Sequence, residues 1–247
     1  MKILGLDSSG LVASAAIVED DILLAEFTTN YKKTHSQTLL PMLEEIRKML
    51  GIEMTDLDAI AIAAGPGSFT GLRIGAATAK GLGLALNKPL VEVPTLERLS
   101  YNLCGCRQLV CPLMDARRNQ VYTGIYEFEK NNTAFELKTV EGQCAVDITE
   151  IIQKLNVLNR EVIFLGDGVP VYKKVIEEQL TVPYTFAASN NNRQRAASVA
   201  ALGAVYYAAG KTVTAAEHQP EYLRKSQAER EQEEKERNDR NQSITGC

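Results

Sequence analysis

Four short constellations in this chain carry residue types that could do chemistry. The first, Gly65-Pro66-Gly67-Ser68-Phe69-Thr70-Gly71-Leu72-Arg73-Ile74-Gly75, lies between a short apolar run, 59–64, and a helix-compatible segment, 73–86. A strand that breaks at Gly-Pro-Gly and re-enters as a helix leaves a loop free of Cβ crowding, with N-terminal amides pointing out. Such a loop can hold an anion or let another backbone approach closely. It misses the nucleotide fingerprints: Thr70 stands where a dinucleotide motif needs glycine, and no Gly-Lys-Ser/Thr closes the loop. The second, Asp7-Ser8-Ser9-Gly10, ends another apolar run. Its carboxylate could hold a metal-bound water while Ser8 contacts phosphate, or the same residues could make a turn that caps its own backbone. The third, Asp115-Ala116-Arg117-Arg118, repeats the strand-then-aspartate pattern. Its arginine pair suits phosphate, carboxylate or a salt bridge between two halves of the molecule, and the last is favoured. The fourth, Gly166-Asp167-Gly168, is either an anion-friendly break or an ordinary strand-to-helix turn. Asp7, Ser8, Asp115, Gly166 and Gly168 are thus the nucleotide or phosphate candidates.

Metal and nucleophile chemistry find less support. The five cysteines (Cys104, Cys106, Cys111, Cys144 and Cys247) show no Cys-x-x-Cys spacing, and His35 and His218 are the only histidines. A zinc site is hard to build from that set, and the cysteines read as reduced thiols, partly in the core. No Gly-x-Ser-x-Gly elbow is present. The chain therefore reads as catalytically empty, with no metal or cofactor of its own. A formal charge of −4 argues against an autonomous nucleic-acid binder, so another chain would supply most phosphate contacts if RNA is involved. Met1-Lys2 leads straight into an apolar run, and no apolar stretch approaches ~18 residues. Neither a secretory leader nor a membrane span is expected, and the expected location is the cytoplasm.

These residues need elements to position them. Residues 2–8 read as a buried strand, and 13–18 with 22–28 as a hairpin through Glu19-Asp20-Asp21. Leu39, Leu43, Ile46 and Leu50 recur at helical spacing over 36–50, with Ser36 as N-cap and Gly51 as stop. Pro41 is tolerable there only within about the first turn. Strand 59–64, helix 71–86, strand 90–93 and a helix from Thr95 complete a β-β-β-α-β-α-β-α order. Strands at 109–115, 121–128 and 135–140, a helix over 147–158 and a strand over 161–165 begin that order again, and an alanine-rich helix near 194–209 follows. Two such units are the plan of the actin, Hsp70 and sugar-kinase (ASKHA) superfamily. A two-lobed α/β protein is expected, with lobes 1–104 and 105–225 and a charged tail, 226–247, helical or disordered. On helix 71–86, Gly75, Ala79 and Gly83 form a groove with almost no side chain. It suits close approach by a second helix or packing on its own sheet. With helix 36–50 beside it, the first use would make half of a four-helix bundle. Leu39, Leu43, Ile46, Gly75, Ala79 and Gly83 are the interface candidates, with Thr70 and Arg73 next.

The motif 65–75, the opening Ile3-Leu4-Gly5-Leu6-Asp7-Ser8-Ser9, the segment His35-Ser36-Gln37-Thr38-Leu39-Leu40-Pro41 and Pro220-Glu221-Tyr222-Leu223-Arg224 closely resemble the TsaB (YeaZ) family, over residues 1–225. The resemblance implies the same two-lobed fold with a degenerate nucleotide cleft. It also implies a non-catalytic subunit in synthesis of the threonylcarbamoyl modification on adenosine 37 of transfer RNA. The implied partners are a TsaD-type transferase joined through the N-terminal lobes and a TsaE-type ATPase docking on that pair. Transfer RNA would be reached indirectly through the complex, and the isolated chain would pair with itself. The resemblance leaves room for ATP or ADP at the complex interface. TsaD carries a His-x-x-x-His metal pair; here His35 begins the corresponding segment, but Leu39 replaces the second imidazole. The alternative is an independent ATPase or small-molecule kinase of the same fold, built on Asp7, Ser8, Asp115 and Gly166–Gly168.

Overall fold

The computed structural model describes residues 1–31 and 35–224, so the expected tail and Cys247 lie outside the described residues. The first half comprises β1 (Lys2–Asp7), β2 (Ala13–Glu19), β3 (Ile22–Thr29), α1 (His35–Leu50), β4 (Ala59–Gly65), α2 (Phe69–Leu86), β5 (Leu90–Pro94) and α3 (Thr95–Tyr101). The second comprises β6 (Leu109–Asp115), β7 (Gln120–Asn131), β8 (Ala134–Asp147), α4 (Ile148–Leu158), β9 (Val162–Leu165), α5 (Val169–Gln179), β10 (Tyr184–Phe186) and α6 (Ala196–Ala208). Element order repeats between the halves, and so does sheet order, β3-β2-β1-β4-β5 against β8-β7-β6-β9-β10. In each sheet the first three strands pair antiparallel and the last two join in parallel. This duplication is the two-lobed ASKHA-like fold. Its central strands explain their own composition: β4 is buried at every position, as a parallel strand covered on both faces must be.

Helices α1 and α2 cover one face of the first sheet, where Leu39, Leu43, Ile46, Ile60, Ile62 and Ala79 share a core. The opposite face receives α6, with Val199, Ala200 and Leu202 among Ile3, Ala61 and Val91. On the second sheet, α4 and α5 cover one face. Leu96 and Leu99 of α3 pack with Val110, Tyr126 and Leu165 on the other. Because α3 and α6 also touch each other, the molecule stacks as helices, sheet, helices, sheet, helices. Helix α6 falls in the segment assigned to the second lobe and lies across the lobes, packed on the first sheet and touching α3. Its small alanine side chains let it lie close to that sheet.

Four elements differ locally from the sequence reading. Helix α1 starts at His35, so Pro41 is its seventh residue, beyond the first turn. The ring is exposed, and Leu39, Met42, Leu43 and Ile46 anchor both flanks in the core. Helix α5 escapes notice because only Tyr172 and Ile176 of its 11 residues are buried, which leaves almost no periodic signal. Strand β10 is three residues long, and β8 continues to Asp147 through register shifts that break its alternation.

Candidate functional site

The glycine motif closes on the first hairpin. Ser68 N–H donates to the Ser9 carbonyl at 2.7 Å, and Ser8 Oγ donates to the Gly71 carbonyl at 2.9 Å. A Cβ on Gly71 would lie 2.0 Å from the Ser8 carbonyl oxygen. Of the two uses open to this loop, close backbone approach is the one the structure shows. Ser68 also caps α2 by accepting from Gly71 N–H, so the helix begins at Phe69, two residues before the expected start. The second unit repeats the arrangement. Gly168 N–H donates to the Leu113 carbonyl at 2.9 Å, and a Cβ on Gly166, at φ +107°, would fall 2.1 Å from that oxygen. Gly166 and Gly168 are a strand-to-helix turn packed on β6.

Asp7 and Arg98 of α3 are both fully buried. Arg98 Nη2 lies 2.7 Å from Asp7 Oδ2 and donates to Ser9 Oγ at 2.7 Å. Asp7 Oδ1 accepts from Ser9 N–H at 2.9 Å and from its hydroxyl at 2.8 Å. Burial pulls the Arg98 guanidinium below its ordinary pKa, while Asp7 and Asp167 hold its proton. Ser8 is buried, with its hydroxyl on Gly71. These residues do not fit a magnesium–nucleotide group: the carboxylate is sealed by an internal cation and its own turn. Nothing in the sequence marks Arg98, because an arginine on a short helix ordinarily reads as a solvated position.

Asp115 closes the equivalent turn of the second unit, accepting from Arg117 N–H at 2.9 Å and from the Tyr172 hydroxyl at 3.4 Å. Among the described residues the arginine pair makes no bridge to the other half. Arg117 Nε stands 3.8 Å from Asp115 of its own hairpin, and Arg118 is exposed. Arg195, at the start of α6, instead donates twice to Glu26 Oε2 on β3, at 3.0 and 2.6 Å, holding that helix on the first sheet. Arg117, Arg118 and Asn119 all have left-handed φ, +66°, +56° and +58°. Such backbone costs a non-glycine residue about 1–2 kcal/mol. Between the two hairpin ends lies a cleft of about 850 Å³, with Ser9, His35, Phe69, Tyr122, Asp167 and Arg224 among its walls. His35 is a packed polar group, donating Nε2–H to the Gly10 carbonyl at 2.8 Å. Burial pushes the Asp167 carboxyl up, opposed by its own backbone amide and by Arg193.

Beyond α6 the chain returns along the first lobe. Val213 and Leu90 exchange both backbone bonds at 2.9 Å. Buried His218 donates Nδ1–H to Glu92 at 2.6 Å, an acidic companion its sequence neighbours do not reveal. Glu221 N–H donates to the Ala64 carbonyl at 2.7 Å. Tyr222 stacks on Phe69 with ring centroids 4.7 Å apart, and the Arg73 guanidinium lies 4.0 Å over the same Phe69 ring. Gln143 reaches Glu221 at 2.6 Å, and Arg224 donates to the Ala116 carbonyl. Pro220–Arg224 therefore seats on the glycine motif and ties it to the second lobe.

The expected docking groove points inward. Leu39, Leu43, Ile46, Gly75, Ala79 and Gly83 are buried in the protein's own core. Gly75 faces Ser8 and Ile62, and Gly83 faces Leu90 and Ala215. Packing on the helix's own sheet accounts for the small-residue stripe. On α2 the outward stripe carries Thr70, Arg73, Ala77, Gly81 and Leu84, all exposed; on α1 the exposed Leu40 and Met49 stand on opposite flanks of the buried stripe, and the outward face is polar, with Glu45 and Lys48. Leu84 on α2 is 70% exposed, unusually bare for a large apolar side chain.

Among the described residues no helix is long and apolar enough to cross a membrane, and no three His, Cys, Asp or Glu side chains stand together as metal donors. The family model described as TsaD, tRNA N6-adenosine threonylcarbamoyltransferase, matches residues 22–232. The tRNA threonylcarbamoyladenosine biosynthesis protein TsaB of Bacillus subtilis is 34% identical over 229 residues, covering 93% of this chain and 96% of that protein. The Escherichia coli TsaB is 29% identical over 232 residues, with 92% and 96% covered. YeaZ from Pseudomonas aeruginosa superposes with a TM-score of 0.73 at 25% identity, over 90% of this chain and 100% of that one. A Pseudomonas aeruginosa protein described as similar to peptidase YeaZ gives 0.76 at 26% identity, over 90% and 99%. The duplicated fold, the seated motifs and these likenesses together show that the chain belongs to the TsaB (YeaZ) family.

Proposed function

We propose that this chain is the non-catalytic activating subunit of a tRNA threonylcarbamoyladenosine transferase complex, holding a TsaD-type subunit in its competent conformation. The observation that carries the reading is the exposed small and apolar stripe of Ala77, Gly81 and Leu84 on α2. Helix α2, with this outward stripe, and its neighbour α1 supply half of a four-helix bundle, and a like-folded TsaD subunit would supply the other half. The names of the TsaB relatives and the match to the TsaD model support that pathway and that partner. About 1,600 Å² of buried surface suffices for a stable heterodimer. Activation requires the stripe to contact the competent state of TsaD better than the resting state. The same stripe pairs two copies of the chain in isolation. A TsaE-type ATPase docks on the heterodimer, and any ATP or ADP belongs to the complex interface, since Asp7 is already tied to Arg98.

The test is transferase activity with purified TsaD- and TsaE-type subunits, transfer RNA and preformed threonylcarbamoyl-adenylate. It is run with this chain, without it, and with its Gly81→Arg/Leu84→Arg variant, whose melting temperature is checked in parallel. Activity should require the chain and be lost in the folded variant. Full activity from TsaD and TsaE alone would overturn the proposal.

A further inference from the structure

Resting on the reading above, we infer that the Arg117–Arg118 turn, with Arg224 beside it, is a direct contact for the phosphodiester backbone of the RNA substrate. Three consecutive residues hold left-handed φ there, and two are arginines, where glycine would adopt the same path freely. Such backbone persists only where its surroundings fix it, and it concentrates at ligand clamps. The surroundings are explicit: Ala116 N–H donates to the Gln120 carbonyl at 2.9 Å, Gln120 N–H to the Arg117 carbonyl at 3.1 Å, and Arg117 N–H to Asp115.

What this rigid turn presents is charge. The Arg117 side chain is 88% exposed, and Arg118 makes no ion pair among the described residues. Arg224, anchored on the Ala116 carbonyl by Nη1, adds a third guanidinium at the same rim. Two nearby carboxylates are engaged, Asp115 by Arg117 N–H and Tyr172 and Asp147 by Thr149 N–H and its hydroxyl, while Asp167 lies deeper in the cleft wall with Oδ1 unpaired among the described residues. Tyr122, Tyr222 and Phe69 face the adjoining cleft. Guanidinium forks beside aromatic faces match phosphates and unstacked bases of single-stranded RNA. An acidic protein segment would leave the aromatic wall unused.

The test is the salt dependence of affinity for an unmodified transfer RNA transcript, read by anisotropy for the full chain alone and for its complex with the TsaD-type subunit. Arg117→Gly/Arg118→Gly removes both guanidiniums while relaxing the backbone, so its melting temperature should match or exceed wild type. Between about 50 and about 200 mM salt, wild type should lose roughly tenfold more affinity than the variant, the signature of two lost phosphate contacts. Inorganic pyrophosphate and ATP serve as competitors. Displacement of the transcript by either at equal phosphate concentration would reassign the turn to free phosphates and overturn the inference. Equal affinity and equal salt slope for wild type and variant, alone and in the complex, would overturn it as well. So would a variant that loses only TsaD binding. Gel filtration of the wild-type pair reports complex formation separately, so a failed partner assignment is told apart while the chain-alone titration still decides the RNA contact.

Discussion

Replacing Arg98 with leucine removes a guanidinium that is fully buried against Asp7 and Ser9. Asp7 would then be a buried carboxylate with only Ser9 as donor. Breaking a buried pair by deleting one partner costs about 3–5 kcal/mol, a large share of the ~5–15 kcal/mol that holds a domain folded. For a chain of this size that lowers the melting temperature by roughly 6–20 °C. Replacing both residues by leucine should recover much of the loss. Arg98 Nε and Nη1 have no hydrogen-bond partner among the described residues, so the native pair is incompletely compensated. The assay is urea unfolding followed by circular dichroism and tyrosine signals, since the chain has no tryptophan, with the four proteins forming a double-mutant cycle. A metal-holding Asp7 makes the opposite prediction. Asp7→Asn would then leave stability nearly unchanged and abolish magnesium-dependent ATP binding. A loss below about 1 kcal/mol for Arg98→Leu, or ATP binding by wild type that vanishes in Asp7→Asn, would refute the strut.

Substitutions on the two faces of α2 should separate cleanly. Leu84→Arg, on the outward stripe, should change stability by no more than about 0.5 kcal/mol, whereas Ala79→Leu, inside the core, should cost about 1–3 kcal/mol by overpacking; thermal melts of both decide. Gly71→Ala should fall at or beyond the top of that ~1–3 kcal/mol range, because its Cβ would meet the Ser8 carbonyl oxygen at 2.0 Å. Asp167 gives a pH signature. Its folded pKa is raised by burial, so the folded state holds this proton more tightly than the unfolded chain. Stability contributed by the protonated form is present below the unfolded pKa and is lost as pH rises through the folded value. Asp167→Asn should therefore raise neutral-pH stability and flatten that part of the profile, and unfolding midpoints across the acidic range read it directly.

Much of this was legible from periodicity. The strand-strand-strand-helix order of each half follows from apolar runs such as Ile3–Leu6 and Leu109–Leu113, whose central strands are covered on both faces. What one sequence does not carry is direction. Gly75, Ala79 and Gly83 announce a close approach without saying to what, and the answer is the chain's own sheet. The GPG loop likewise announced two uses, and only the packed Ser8–Ser9 turn chooses between them. Arg98, Glu92 beside His218 and the Arg195–Glu26 pair were invisible because their partners are far away in sequence. Long-range polar pairing leaves no local pattern to read.

The arrangement also joins the two proposed surfaces. Helix α2 carries the outward stripe along its length, and its first turn carries Phe69 under Tyr222 and Arg73. Two residues beyond Tyr222, Arg224 holds the Ala116 carbonyl at the root of the arginine turn. A partner that shifted α2 would have one contiguous route to the Arg117–Arg118 turn, through one aromatic stack and one anchored arginine. Spatial continuity alone does not establish coupling, so the measurable quantity is how far TsaD binding changes affinity for transfer RNA, and the reverse, which must agree. Coupling of this kind typically amounts to about 1–3 kcal/mol, a five- to 150-fold change in affinity. Tyr222→Ala removes the stack while leaving both the outward stripe and the arginines in place. It should therefore shrink the coupling and weaken RNA binding by the one aromatic face it removes, while affinity for the TsaD-type subunit stays within a few fold. Coupling that survives Tyr222→Ala undiminished would mean that α2 and the arginine turn act independently, with the Pro220–Arg224 segment serving only to hold the lobes together.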